Sequence, residues 1–171
     1  YAAVNDSTKS GAEVKAVIEQ YIDVQSLVDT YLLQEIVCDP DLYITSFFMT
    51  LDMSATGNKK LTFQAPWDFD STMGNKEHDA NDQGLYAGVV GYDVNHGRRG
   101  TGNPWMILLA KQEWFNKIVQ DKWNNLKDSI FSNVTSQIST LTSKYATNFE
   151  NNYKKWPMEP NDEYRPAAAA C

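Results

Sequence analysis

Three aspartates, Asp41, Asp68 and Asp70, have the residue type and spacing in this sequence to hold a cation or take up a proton. Asp68 and Asp70 follow closely on residues 60–65, where Leu61, Phe63 and Ala65 alternate with Lys60, Thr62 and Gln64. That period of two predicts a half-buried strand. Pro66 cannot donate to a sheet ladder, so the strand stops there or runs along an edge. If the extended geometry persists, both carboxylates point to one side and Trp67 and Phe69 to the other. Hard oxygen ligands beside an apolar anchor suit a Mg²⁺ site. A polar turn after a strand, with two core aromatic residues, accounts for the same four positions. Asp41 borders a helix end and a strand start, where a capping aspartate is the competing explanation.

The surrounding elements decide whether these acids meet. Residues 1–11 read as a loose lead-in, and Ala12 to Tyr21 as a helix with Val14, Val17, Ile18 and Tyr21 at helical spacing. Ser26 reads as the N-cap of the next helix, with Asp29 three residues on. Its apolar stripe is Leu27, Val28, Tyr31, Leu32 and Ile36, and Glu35 falls on the same side as Tyr31. Pro40 forces Asp39 out of the α region and ends this helix. A β-hairpin follows from about Ser46 to Ala65, turning at Gly57-Asn58. Asp41 then enters the hairpin where Asp68 and Asp70 leave it, and the antiparallel return draws the three carboxylates together.

The chain has 171 residues, 42% hydrophobic and 12% aromatic, the composition of one folded domain. A net charge of −7 excludes nucleic acid as the main partner. ATP stays compatible with an acidic site, because a metal ion bridges carboxylate and polyphosphate. No apolar run approaches the ~20 residues of a membrane span. Two cysteines, Cys38 and Cys171, provide neither a disulfide framework nor a thiolate metal site. The start at Tyr1, without Met, reads as a processed product or a fragment. The expected organisation is a single domain over residues 1–166 with a tail at 167–171. Within it, residues 12–75 carry the acidic site, 76–102 form a long loop, and 103–157 form a helical hairpin. The loop holds His78, His96, Arg98 and Arg99, which read as solvated groups. Asn103-Pro104 starts a helix to about Ser129 with Leu108, Phe115, Val119, Trp123, Leu126 and Ile130 inward. Val134, Ile138, Leu141, Tyr145, Phe149, Tyr153 and Trp156 mark the returning arm at near-heptad spacing. The fold class is therefore α+β and mostly helical, with a β-hairpin carrying the acidic site packed on helices.

Three blocks carry a resemblance to a known family. They are Glu35-Ile36-Val37-Cys38-Asp39-Pro40-Asp41-Leu42-Tyr43, then Pro66-Trp67-Asp68-Phe69-Asp70 with Gly74-Asn75, then Gly102-Asn103-Pro104-Trp105. In this order, over residues 15 to about 130, they resemble the C-terminal catalytic half of CotH-type atypical protein kinases, spore-coat-like and secreted proteins. The resemblance implies a C-terminal kinase lobe that transfers the ATP γ-phosphoryl group to protein Ser or Thr. It makes Asp41 the catalytic aspartate, Asp68 the ligand of the nucleotide metal and Asp70 an auxiliary ligand. The implied metal is Mg²⁺ or Mn²⁺, with Ca²⁺ as a further fit. Asp39 stands where such proteins often have Asn, Glu35 becomes a structural partner of the active-site loop, and Ser46 is a weak, neutral ligand. Implied partners are ATP and a protein substrate, at an extracellular or cell-surface location.

One feature of the family is missing from the sequence. Nothing resembles the Arg-Gly-Asn-Ser-type segment or the basic strand with its phosphate-gripping lysine; Lys9 and Lys15 fall in the lead-in and first helix. Phosphoryl transfer depends on positive groups around the phosphates, so the expectation is weak activity unless an N-terminal half or another chain supplies them. Two other classes fit the same residues. One is a non-catalytic secreted surface or adhesion module; the other is a metal-binding, carbohydrate-associated domain of an extracellular assembly.

Overall fold

Local signals in the first 40 residues set up a helical platform. The computed structural model describes residues 2–37, 46–72 and 105–157. Helix α1 (Ala2–Asn5) opens the chain, so the expected loose lead-in is instead partly helical and packs on its neighbours. Helix α2 (Gly11–Tyr21) starts at a capping box: Ser10 Oγ accepts from the Glu13 backbone N–H, and Glu13 reaches back to the Ser10 N–H at 2.8 Å. These bonds, the Ser10 hydroxyl first, hold the Glu13 carboxyl below the ordinary glutamate value. Val14 and Ile18 face inward, whereas Tyr21, expected on the same stripe, is 65% exposed.

Helix α3 (Val24–Val37) buries Leu27, Val28 and Tyr31 as its stripe predicts. Its start differs from the sequence reading. Asp23 caps it, accepting from the Ser26 N–H at 3.1 Å, and Ser26 lies one turn inside. The Ser26 hydroxyl donates to the Asp23 carbonyl at 2.9 Å and accepts from the Phe63 N–H at 3.0 Å. A residue chosen as a cap is thus the pin between helix and hairpin. Ser26→Ala removes this link between α3 and the buried strand residue Phe63 and should cost about 1 kcal/mol in chemical denaturation.

Strands β1 (Met49–Leu51) and β2 (Leu61–Phe63) pair antiparallel with Met49 opposite Phe63 and Leu51 opposite Leu61. Leu61 also forms a parallel bridge with Ile22, and the Asp23 N–H donates to its carbonyl at 2.9 Å. Phe63 is buried and Phe47 packs on it at 5.6 Å between ring centroids, whereas Met49 and Leu51 of β1 are exposed. The connecting loop is stitched by Asp52, which accepts from the Ser54 N–H at 2.9 Å through its carboxylate and from the Lys59 N–H at 3.2 Å through its carbonyl. A Cβ on Gly57 would stand 2.4 Å from the Asp52 carbonyl oxygen. Gly57→Ala therefore forces the loop open and should lower stability by about 1–3 kcal/mol, read as a shift in denaturation midpoint.

The C-terminal part departs most from expectation. Helix α4 (Trp105–Ala110) ends in a turn in which the Gln112 N–H donates to the Leu109 carbonyl at 2.8 Å. Helix α5 (Glu113–Lys144) then runs unbroken past Ser129, and α6 (Ala146–Lys155) continues it. At the junction the Tyr145 N–H still donates to Leu141 and the Phe149 N–H to Tyr145, at 2.9 and 3.0 Å. The single helix expected over 103–129 is two helices, and the hairpin expected to turn near 130 is a long rod. Phe131, Ser132 and Asn133, the residues between Ile130 and Val134, include neither Gly nor Pro, so no residue there enforces a break. The core joins α2, α3, β2, α4 and the N-terminal end of α5 through Val14, Leu27, Tyr31, Phe63, Leu109 and Phe115. Lys122 pairs with Asp29 to tie α5 to α3. No described helix is long and apolar enough to cross a membrane. The fold is α+β and mostly helical, with one small antiparallel sheet.

Candidate active site at the open end of the hairpin

The hairpin brings its entry and exit together. Ser46, just before β1, and Asp68, just after β2, are 22 residues apart in sequence, yet the Ser46 hydroxyl donates to Asp68 Oδ2 at 3.0 Å. The ladder extends toward this contact through the Gln64 N–H, which donates to the Phe48 carbonyl at 3.4 Å. Ser46 is half-buried, and Asp68 and Asp70 are exposed.

The backbone around this contact is strained. Among the described residues four non-glycine positions have positive φ, and three of them frame the open end: Ser46 at 56°, Ala65 at 60° and Asp68 at 68°. Each such residue costs about 1–2 kcal/mol relative to ordinary helix or strand geometry, least for Asp, whose short polar side chain bonds locally. Backbone held in sparsely populated regions clusters at ligand-binding sites, because neighbouring structure must impose it.

This conformation corrects the expected geometry after Pro66. Asp68 is left-handed and Phe69–Ser71 form a 3₁₀ turn, so the chain is not extended and the two carboxylates do not follow strand alternation. The turn closes with the Thr72 N–H and hydroxyl on the Phe69 carbonyl, at 3.2 and 2.7 Å, and Thr72 is buried. Trp67 is 63% exposed and Phe69 half-buried, so the expected apolar anchor is Phe69 and Thr72 rather than a Trp67–Phe69 pair.

Of the other candidate residues, Glu35 is half-buried on α3. It lines a cleft of about 600 Å³ between α3 and α5 with Tyr31, Leu32, Ile36, Val119 and Trp123. Burial, and then the nearby Glu35 carboxylate, raise the Tyr31 hydroxyl above its ordinary value. Ser46, Asp68 and Asp70 are not among the residues lining this cleft. Asp39, Asp41, the 76–102 loop, the Asn103-Pro104 helix start and the 167–171 tail lie outside the described residues. Lys9 and Lys15 sit in a turn and in α2, off any strand as the sequence reading has them, and face Asp6 and Glu19 at 3.8 and 3.7 Å.

Two carboxylates and a hydroxyl are hard oxygen donors of the kind Mg²⁺ or Mn²⁺ takes, and such ions complete their shell with waters and phosphate oxygens. Among the described residues no group of three or more His, Cys, Asp or Glu is close enough to hold a metal. The donors present thus fit a cation shared with a ligand better than a cage made by this part of the chain. The Ser46–Asp68 contact is the feature that sequence reasoning undervalued. Its signal was available in the hairpin register, which sets the two flanking segments side by side.

Neither a curated protein nor a solved structure matches the chain. The family model described as CotH kinase protein matches residues 1–165, and the chain belongs to that family.

Proposed function

We propose that this chain is the catalytic C-terminal part of an atypical protein kinase that transfers the ATP γ-phosphoryl group to a protein Ser or Thr hydroxyl. The observation that carries the reading is the Ser46–Asp68 hydrogen bond across the open end of the hairpin. It supports convergence of the acids, because Ser46 is only the fifth residue after Asp41 and such a tether reaches no farther than about 18 Å. Family membership supports the same reaction class.

In this reading Asp41 positions the substrate hydroxyl and accepts its proton as the oxygen attacks the γ-phosphorus. The bond from that phosphorus to the bridging oxygen breaks, and ADP leaves with the electron pair. Asp68 would hold the nucleotide's cation with Asp70 assisting, and Ser46 orients the Asp68 carboxylate. Mg²⁺ or Mn²⁺, or less well Ca²⁺, would neutralise charge developing on the phosphate oxygens. Asp39 and Glu35 support the loop that bears Asp41. Cationic groups around the phosphates would have to be supplied by another segment or chain. The reading is tested with γ-labelled ATP and a Ser/Thr protein substrate. Label should pass to protein, and both Asp41→Ala and Asp68→Ala should lower the transfer by at least about 10²-fold. Transfer unaffected by either change would refute the assignment.

A further inference from the structure

Beyond Ile130 the rod formed by α5 and α6 leaves an apolar face in solvent. Phe131, Val134, Ile138, Leu141, Tyr145, Phe149, Tyr153 and Trp156 are all exposed, from 39% at Tyr145 to 61% at Trp156. Their spacing of three or four residues keeps them on one side of the helix. With about 100 Å² left uncovered on each, the face amounts to roughly 800 Å², the share one partner contributes to a standard protein interface.

The pattern along this face is mirror-symmetric. About a centre between Ser139 and Thr140, Ile138 mirrors Leu141, Val134 mirrors Tyr145, Ile130 mirrors Phe149, Leu126 mirrors Tyr153 and Trp123 mirrors Trp156. Two antiparallel copies would set each of these residues opposite its mirror, apolar against apolar, while Phe131 falls opposite Asn148. Mirror symmetry is what a two-fold interface requires, since each residue must suit a partner residue that it meets twice.

Charge selects the same arrangement. Between Phe131 and Tyr145 the only charged residue is Lys144. About the same centre Lys144 falls opposite Thr135 and flanks Gln137 two residues on, Glu150 falls opposite Ser129, and Lys154 and Lys155 opposite Asn125 and Asn124. Parallel copies would set each of these charges beside itself, and like charges in register are unfavourable. We infer that the α5–α6 rod is a homodimerisation element in which two copies of this chain pair antiparallel through the face from Trp123 to Trp156.

The test uses the full 171-residue chain. Light scattering should give twice the 19.4 kDa chain mass, and Ile138→Asp should return it to the single mass with an unchanged circular dichroism spectrum. Ile138 is 58% exposed, so this substitution removes an interface residue and not a core one. Orientation is read separately, in chains with Cys38→Ser and Cys171→Ser. A chain with Gln137→Cys mixed with one carrying Lys144→Cys should form a mixed disulfide, and neither should cross-link alone. A single mass for the unaltered chain, a dimer indifferent to Ile138→Asp, or self-linking of the Gln137→Cys chain would each overturn the inference. The first would mean that another part of the chain covers the face.

Discussion

Asp68→Asn should leave the fold intact while lowering phosphoryl transfer by at least about 10²–10³-fold. Asparagine is the residue that best shares aspartate's tolerance of the left-handed region, so the backbone at φ 68° is kept. Its amide oxygen can still accept the Ser46 hydroxyl that Asp68 Oδ2 accepts at 3.0 Å. What is lost is the negative charge, and with it the attraction for a divalent cation. Asp68→Ala differs in a measurable way: it removes the Ser46 acceptor and puts an alanine in left-handed geometry, a strain of about 1 kcal/mol. Thermal melting should therefore separate the two variants while the transfer assay does not. Asp41→Ala should lower transfer by about 10²–10⁴-fold, the range for loss of a general base, without the loss of cation affinity seen for Asp68→Asn.

The largest expected loss of stability is at Phe115. This side chain is fully buried at the start of α5, with edge-on contacts to Tyr31 of α3 at 5.5 Å and to Trp114 at 5.8 Å between ring centroids. It sits where α2, α3, α4 and α5 meet, so the neighbouring helices cannot close around a void without repacking one another. Phe115→Ala should cost about 3–5 kcal/mol, the range for a buried aromatic residue replaced by alanine. Domains of this kind are stable by only about 5–15 kcal/mol, so the variant should show a much lowered denaturation midpoint. Phe131→Ala, an aromatic truncation on the exposed rod, should leave the midpoint of the monomer within about 0.5 kcal/mol.

The sequence was most legible where a period met a stop signal. Leu27, Val28 and Tyr31 recur at helical spacing and are buried, and the alternation through Leu61 and Phe63 is a strand. The hairpin's existence then predicts that the segments around Ser46 and Asp68 meet, which they do. Legibility failed where tertiary contacts override local pattern. The extended reading of residues 66–70 assumed that the strand's period continues, but a left-handed Asp68 and a 3₁₀ turn closed by Thr72 redirect the chain. Ser26 has the composition of a cap, yet Asp23 takes that position and leaves the Ser26 hydroxyl to a strand that lies far away in sequence. The helical hairpin was inferred from two apolar stripes that would cover each other. Spacing alone reveals that such stripes need a partner, not that the partner is the same chain, and the unbroken α5 leaves one of them open.

The claim at the centre of this account is a division of labour between two acids at the mouth of the hairpin, one for the cation and one for the proton. Electron paramagnetic resonance of Mn²⁺ titrated into the chain with ATP tests it most directly, because it reads cation binding whether or not phosphate is transferred. The unaltered chain and Asp41→Ala should sequester Mn²⁺ with ATP to the same saturating level, and Asp68→Asn should not. Equal Mn²⁺ binding by the Asp68→Asn chain would contradict the account.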